Sequence, residues 1–254
     1  MSIGTIPGKT LVAIADKLRE KTSTTESITP EDMPVKIDNV FEAGKKAEYD
    51  AFWDDFQQNG ARTDYIRGFA SIGWTNSNFK PKYDIVVAGD ATSMWQGAKI
   101  TDLVSILNAQ NVVFDMSQVT NAYMMFNSCR ITHIPVCDAR NSTNHQRKFN
   151  SCDAVIIDKL LVTSNQTFPN TFYATRSLTD IEIEGVIAND IDFQFSPLNA
   201  KSLVSIIEHL SDTTIGKTVS FKQSAIDTAD WEPTDYTSWY ELVATKPNWT
   251  VALI

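Results

Sequence analysis

"FNSC" stands at Phe126–Cys129 and again at Phe149–Cys152. A four-residue identity decides little by itself: at typical residue frequencies roughly 0.4 such echoes arise by chance in a chain of this length. The frame decides. Carrying the offset of 23 residues forward lands on positions 172 and 195, and both are phenylalanine, Phe172 in "NTFYAT" and Phe195 in "FQFSPL". With 13 phenylalanines in 254 residues, two hits at places fixed in advance have a chance probability of roughly 1 in 400, at a period typical of leucine-rich arrays. The echo therefore reads as a repeat in which Phe126, Phe149, Phe172 and Phe195 form a comb of stacked rings.

Around that comb each unit is expected to supply a short strand: "ITDL" from Ile100, "VVFDM" from Val112, "ITHIPV" from Ile131, "AVIIDKLLV" from Ala154 and "LTDIEIE" from Leu178. In the last, Leu178, Ile181 and Ile183 should point inward while Asp180, Glu182 and Glu184 face out, the alternation of a half-buried strand. An array of this kind buries its apolar side only against neighbours, so both ends need caps. Trp53, Trp74 and Trp95 lie before or at the first unit and Trp231, Trp239 and Trp249 after the last.

Upstream, "TLVAIADKLREK" places Leu11, Ile14, Ala15 and Leu18 on one helical stripe. Thr29, Pro30 and Asp32 suit the start of a second helix. A third, roughly 41–59, carries Tyr49, Phe52, Trp53 and Phe56 and ends at Gly60. Downstream, "LNAKSLVSIIEHL" reads as a helix with Leu203, Ile206, Ile207 and Leu210 inward, followed by a strand, helix, helix, strand closure. The expected fold class is thus α+β: N-terminal helices, a central short-strand leucine-rich-repeat-like solenoid and a small α/β C-terminal cap. The expected segments are 1–44 for attachment, 45–93 for a helix and aromatic-rich cap, 94–210 for the solenoid and 211–254 for the cap.

Composition bounds the function classes. At 43% hydrophobic and 21% charged, the chain can bury a sizeable core. The net charge of −9, from 31 acids against 22 bases, opposes binding to phosphate backbones, which rests on cations releasing condensed counterions, so no nucleic-acid partner is expected. "MSIGTIPGKT" is no signal peptide, and no apolar run approaches about 18 residues, so no membrane partner is expected either. Cys129, Cys137 and Cys152 read as buried thiols. The sequons at Asn141, Asn165 and Asn248 matter only in a secretory pathway.

The comb in "MMFNSCRITHIP", "RKFNSCDAVII" and "NTFYATRSLTDIEI" resembles the BspA-type leucine-rich repeat. The opening "IADKLREKTSTTESITPEDMPVKIDNV", the segment "YDAFWDDFQQNGARTDYIRGFASIGWTNSNFKPKYDIV" and the ending "ELVATKPNWTVALI" resemble proteins of phages and prophages of Gram-positive gut bacteria. That resemblance implies a virion structural protein, tail-fibre or baseplate associated, made in the host cytoplasm. A protein of that kind is expected here to homo-oligomerise, trimeric as one form, to contact other virion proteins and to adhere to host-surface glycan. The alternative is a head-decoration or head-fibre protein, and a third reading is a polysaccharide depolymerase. No catalytic residues and no cofactor are implied.

Four residue patterns have the residue types of functional sites. "IPGKT" and "TIGKT" end like a phosphate-binding loop but lack its first glycine, with Ile3 and Ser211 in its place. Cys129, His133, Cys137, His145 and Cys152 lack the paired spacing of a zinc site, and the same set offers no oriented Cys–His nucleophile. Asp180, Glu182 and Glu184 share one strand face, but general-acid chemistry needs one of them in an apolar pocket. "NSTNHQ" and "TSNQTFPN", beside Phe168 and Tyr173, carry the amides, hydroxyls and rings that hydrogen-bond and stack on sugars; ordinary loops share that composition.

Overall fold

A computed structural model describes residues 62–64, 69, 74–232 and 234–254. The helices expected before Gly60, with Trp53, lie outside the described residues. The strands are short and all pair in parallel. β1 (Arg62–Asp64), β2 (Ile85–Asp90) and β3 (Phe114–Asn121) make one sheet in that order. β6 (Ile156–Val162) collects β4 (His133–Ile134), β5 (Cys137–Asp138) and β7 (Asp180–Gly185) into a second. β8 (Ile191–Phe193), β9 (Lys217–Phe221) and β10 (Trp249–Leu253) form the third, with β9 central. The helices among the described residues are α1 (Leu103–Gln110), α2 (Ala200–Glu208), α3 (Gln223–Asp227) and α4 (Trp239–Ala244).

Between the sheets the chain makes a stack of unusual turns. Trp95, Phe126, Phe149 and Phe172 each sit at the centre of a five-residue segment whose ends are left-handed: Ser93 and Gly97, Met124 and Ser128, Arg147 and Ser151, Asn170 and Ala174 all have φ between 53° and 67°. Within each segment alternate N–H groups close tight turns, as Asn150 does on the Arg147 carbonyl at 3.2 Å. The intervening N–H groups reach the next segment: Trp95 donates to Met125 O (2.7 Å), Phe126 to Lys148 O (2.8 Å) and Phe149 to Thr171 O (2.9 Å). The backbone polar groups of a buried turn are thereby paired without extended strands. The entry to three of these turns is fixed by an Asx turn five residues before the ring, where Asp90, Asn121 and Asn144 accept from Thr92, Tyr123 and Gln146 N–H.

The rings form one column. Phe69 stacks on Trp95 at 4.4 Å, and Trp95 is parallel to Phe126 within 2° at 6.4 Å. Phe126, Phe149 and Phe172 follow at 5.5 and 5.3 Å. Phe193 and Phe221 continue at 4.4 and 6.0 Å, and Trp239 closes the end edge-on at 5.3 Å. These rings are all buried, and stacked pairs at such separations add to the area they hide from water. The comb therefore needs one correction: the ring after Phe172 is Phe193, not Phe195. The chain turns back immediately after Phe193, with Ser196 N–H donating to the Phe193 carbonyl at 2.9 Å. Phe195 swings outward against Tyr173.

The expected fold class is also corrected. The described residues are mostly short parallel strands in three separate small sheets with a few short helices, a weakly α+β arrangement and not the leucine-rich-repeat-like solenoid expected over 94–210. Interruption is the physical reason. "ITDL" forms no strand, because Asp102 caps α1 by accepting from Ser105 N–H at 2.9 Å. Pro135 has no N–H to donate and ends the strand of "ITHIPV" after two residues, as β4, with β5 resuming only beyond Val136. The ring spacings run 31, 23, 23, 21 and 28 residues from Trp95 to Phe221, so no uniform period is kept.

Two local features fix the lower half. β7 alternates as a half-buried strand, with Ile181 and Ile183 inward and Asp180, Glu182 and Glu184 exposed. It ends at Gly185, whose φ is +109° and where an added Cβ would meet Val162 O at 2.0 Å, so only glycine fits. α2 is capped by Asn199 and buries Leu203, Ile206 and Ile207 against the core. Ser202 and Ser205 of the same helix accept from Ile181 and Ile183 N–H, so α2 takes the place of a further strand beside β7.

Candidate functional site: the turn edge at Tyr173

The segment Thr163–Arg176 brings the sequence-selected polar groups and rings together. Thr163 starts it, its N–H held by Gln166 Oε1 at 2.9 Å and its hydroxyl donating to Asn165 Oδ1 at 2.6 Å. Gln166 is buried and donates to the carbonyls of Ala139 and Ser142, fastening the loop to the turn below it. Phe168 is buried too, its ring 5.5 Å from that of His145. Pro169 and Asn170 then emerge at the surface.

Tyr173 follows, 46% exposed. Its ring stands edge-on to Phe195 at 5.0 Å, and the Arg176 guanidinium lies 5.6 Å over the other ring. Tyr173 is thus braced from behind while one side faces water. Beside the segment lies an open cleft of about 440 Å³ lined by Thr167, Pro169, Asn170, Asp190, Lys217 and Thr218 among others. Asp190 accepts from Thr218 N–H at 2.8 Å, and the Lys217 ammonium stands 3.9 Å from its other oxygen, an exposed pair worth little energetically. Three hydroxyls, two amides, two acids and one base line the cleft and can hydrogen-bond, while the exposed Tyr173 ring lies three residues along the chain from Asn170 and can stack.

Much of the polar composition read as available is consumed. Asn141 donates to Ser117 O at 2.6 Å, Asn144 fixes its Asx turn, and Asn248 donates to Asp212 O at 2.8 Å. His145 is buried, its Nε2 3.2 Å from Ser142 O, and burial lowers its pKa from 6.5 to about 3. His133 lies at the surface, 2.6 Å from Asp158. Cys129, Cys137 and Cys152 are free, buried thiols; burial raises Cys137 to about 11 and Cys129 well above the usual thiol range. Among the described residues no group of three or more His, Cys, Asp or Glu side chains could hold a metal ion.

The carboxylate row is likewise engaged at the surface. Lys159 holds Glu182 at 2.8 Å and Glu184 at 3.1 Å, and Asn199 donates to Asp180 at 2.7 Å. All three side chains are exposed, Asp180 at the edge of a cleft it shares with Pro197, Leu198 and Ala200. Of the two loop-like glycine motifs, "TIGKT" leads into β9 rather than a helix, and "IPGKT" lies outside the described residues. Sequence reasoning missed Lys148, fully buried one residue before Phe149. Its predecessors at that place are Met94 and Met125, so the register held the signal.

No family model, curated protein or solved structure matches the chain.

Proposed function

We propose that this chain is a structural protein of a phage particle, tail-fibre or baseplate associated, whose work is adhesion to host-surface glycan through the Tyr173 edge. The observation that carries the reading is the half-exposed Tyr173 ring, backed by Phe195, on the same five-residue turn as Asn170, which lines the cleft with Thr167 and Thr218. A ring face lies on sugar C–H groups while nearby hydroxyls and amides meet sugar hydroxyls. Because the carbonyls of Pro169, Thr171 and Tyr173 are all held by the preceding turn, little ordering entropy is lost on binding. The resemblance of the chain's two ends to phage and prophage proteins supports the setting. Homo-oligomerisation would multiply weak individual sites through effective concentration.

The test is retention of the intact assembly on a panel of Gram-positive cell-wall polysaccharides. Binding that falls at least tenfold in Tyr173→Ala, with an unchanged unfolding transition, supports the proposal. An intact assembly that binds no member of the panel sinks it. Fractionating virions places the protein: copies that stay with purified tails fit the adhesin, and copies on tailless heads favour the head-decoration alternative.

A further inference from the structure

Three residues past Trp95, Phe126, Phe149, Phe172 and Phe193, the chain places Ala98, Cys129, Cys152, Thr175 and Ser196, and all five are buried. Side chains at successive levels of this second column reach one another, since the hydroxyls of Thr175 and Ser196 meet at 3.0 Å. Cys129 and Cys152 occupy the two levels above. Backbone hydrogen bonds bracket them, Ser128 N–H to Asn150 O at 2.9 Å and Asp153 N–H to Cys129 O at 3.0 Å. Their backbones are therefore held one ladder spacing apart, about 5 Å, inside the Cα separation of about 4.4–6.8 Å that disulfides span. The Cys152 thiol is near enough to add to the rise that burial gives the Cys129 pKa. Cys137 sits apart in β5, paired in register with Leu160.

We propose that Cys129 and Cys152 form an oxidation site, closing an intramolecular disulfide across adjacent turns when the protein passes from a reducing to an oxidising environment. The site does not depend on the functional reading above. In the step the two thiols give up two protons and two electrons and a Cys129–Cys152 sulfur–sulfur bond forms. A small-molecule disulfide such as oxidised glutathione takes up both and leaves as two thiols. Reaction requires a transient opening, because both side chains are almost wholly shielded and burial keeps Cys129 protonated. The bond is therefore a slow maturation rather than a rapid sensor.

The full chain is incubated with oxidised glutathione in its folded state, and a second sample is refolded from denaturant in the same buffer. Thiols are then counted under denaturing conditions, and the linked peptides are mapped by mass spectrometry. The expected result is the loss of two of three thiols, a Cys129–Cys152 peptide pair with Cys137 free, and a higher unfolding midpoint than the reduced chain. Cys137→Ala should keep that rise and Cys152→Ala should abolish it. Three free thiols in both samples, or any pair that includes Cys137, overturns the proposal.

Discussion

Lys148 and Lys246 are both buried, one inside the turn stack and the other in the closure formed by β9, α4 and β10. Lys246 donates to the Leu210 carbonyl at 2.8 Å and to Asp212 at 2.6 Å, so its ammonium is satisfied. Lys148 has no hydrogen-bond partner; its amine lies 5.3 Å from the centre of the Phe149 ring, and burial lowers its pKa. The closure is an interior assembled from loops that bring carbonyls and acids with them. The stack spends the carbonyls of this turn on its neighbours, so the Lys148 amine meets the Phe149 ring and, at longer range, the Cys137 thiol and Asp138. One residue type thus reports two kinds of core, one wet in character and one dry.

Removing a ring is the most severe way to break the dry side. Phe149→Ala should lower unfolding free energy by about 3–5 kcal/mol, because it empties a site packed on both faces, whereas Phe195→Ala, off the column, should cost about 1 kcal/mol. Denaturant unfolding of the two variants checks this, and equal losses would mean the column is no special source of stability.

Acid probes the same interior through His145. Below pH 6.5 the unfolded chain takes up a proton that the folded chain refuses until about pH 3. Stability therefore falls as pH drops through that window, by at most about 1.4 kcal/mol per pH unit. The wild type should lose up to about 3 kcal/mol more than His145→Gln between about pH 6.5 and pH 4.5, measured by urea titration at each pH.

The lysines give the closest test. Lys246→Met strands the Leu210 carbonyl and should cost about 2 kcal/mol, a moderate figure because the Asp212 partner is mostly exposed. Lys148→Met restores the residue type found at Met94 and Met125 and should raise stability by about 1 kcal/mol near neutral pH, since an unbonded amine is removed. That gain should shrink as pH climbs toward 10.5: the lysine pKa is depressed in the folded state, and the proton favouring the unfolded chain is lost there. A pH-independent gain would assign the effect to shape alone.

How far the sequence could be read follows from the same physics. The rings at 126, 149 and 172 were legible because a constant offset is a one-dimensional signal, and the inward side of β7 because alternation is local. Phe193 was not, since a two-residue shortening leaves another phenylalanine, Phe195, at the expected place. The amides of "NSTNHQ" looked free because sequence cannot show a carbonyl 24 residues away, such as Ser117 O for Asn141. Tyr173 is legible as an aromatic beside polar loops, but the Phe195 ring that backs it is the very residue expected inside the column.

The paired left-handed residues at either side of each ring carry one more consequence. Their backbone shape is set by ladder bonds above and below, not by the side chains they bear, which here include serine, methionine, arginine, asparagine and alanine. Outward positions such as Ser128, Ser151 and Tyr173 can be exchanged without disturbing the rings behind them. Surface and core are written in different letters of the same turn, so a new outward face need not be a new architecture.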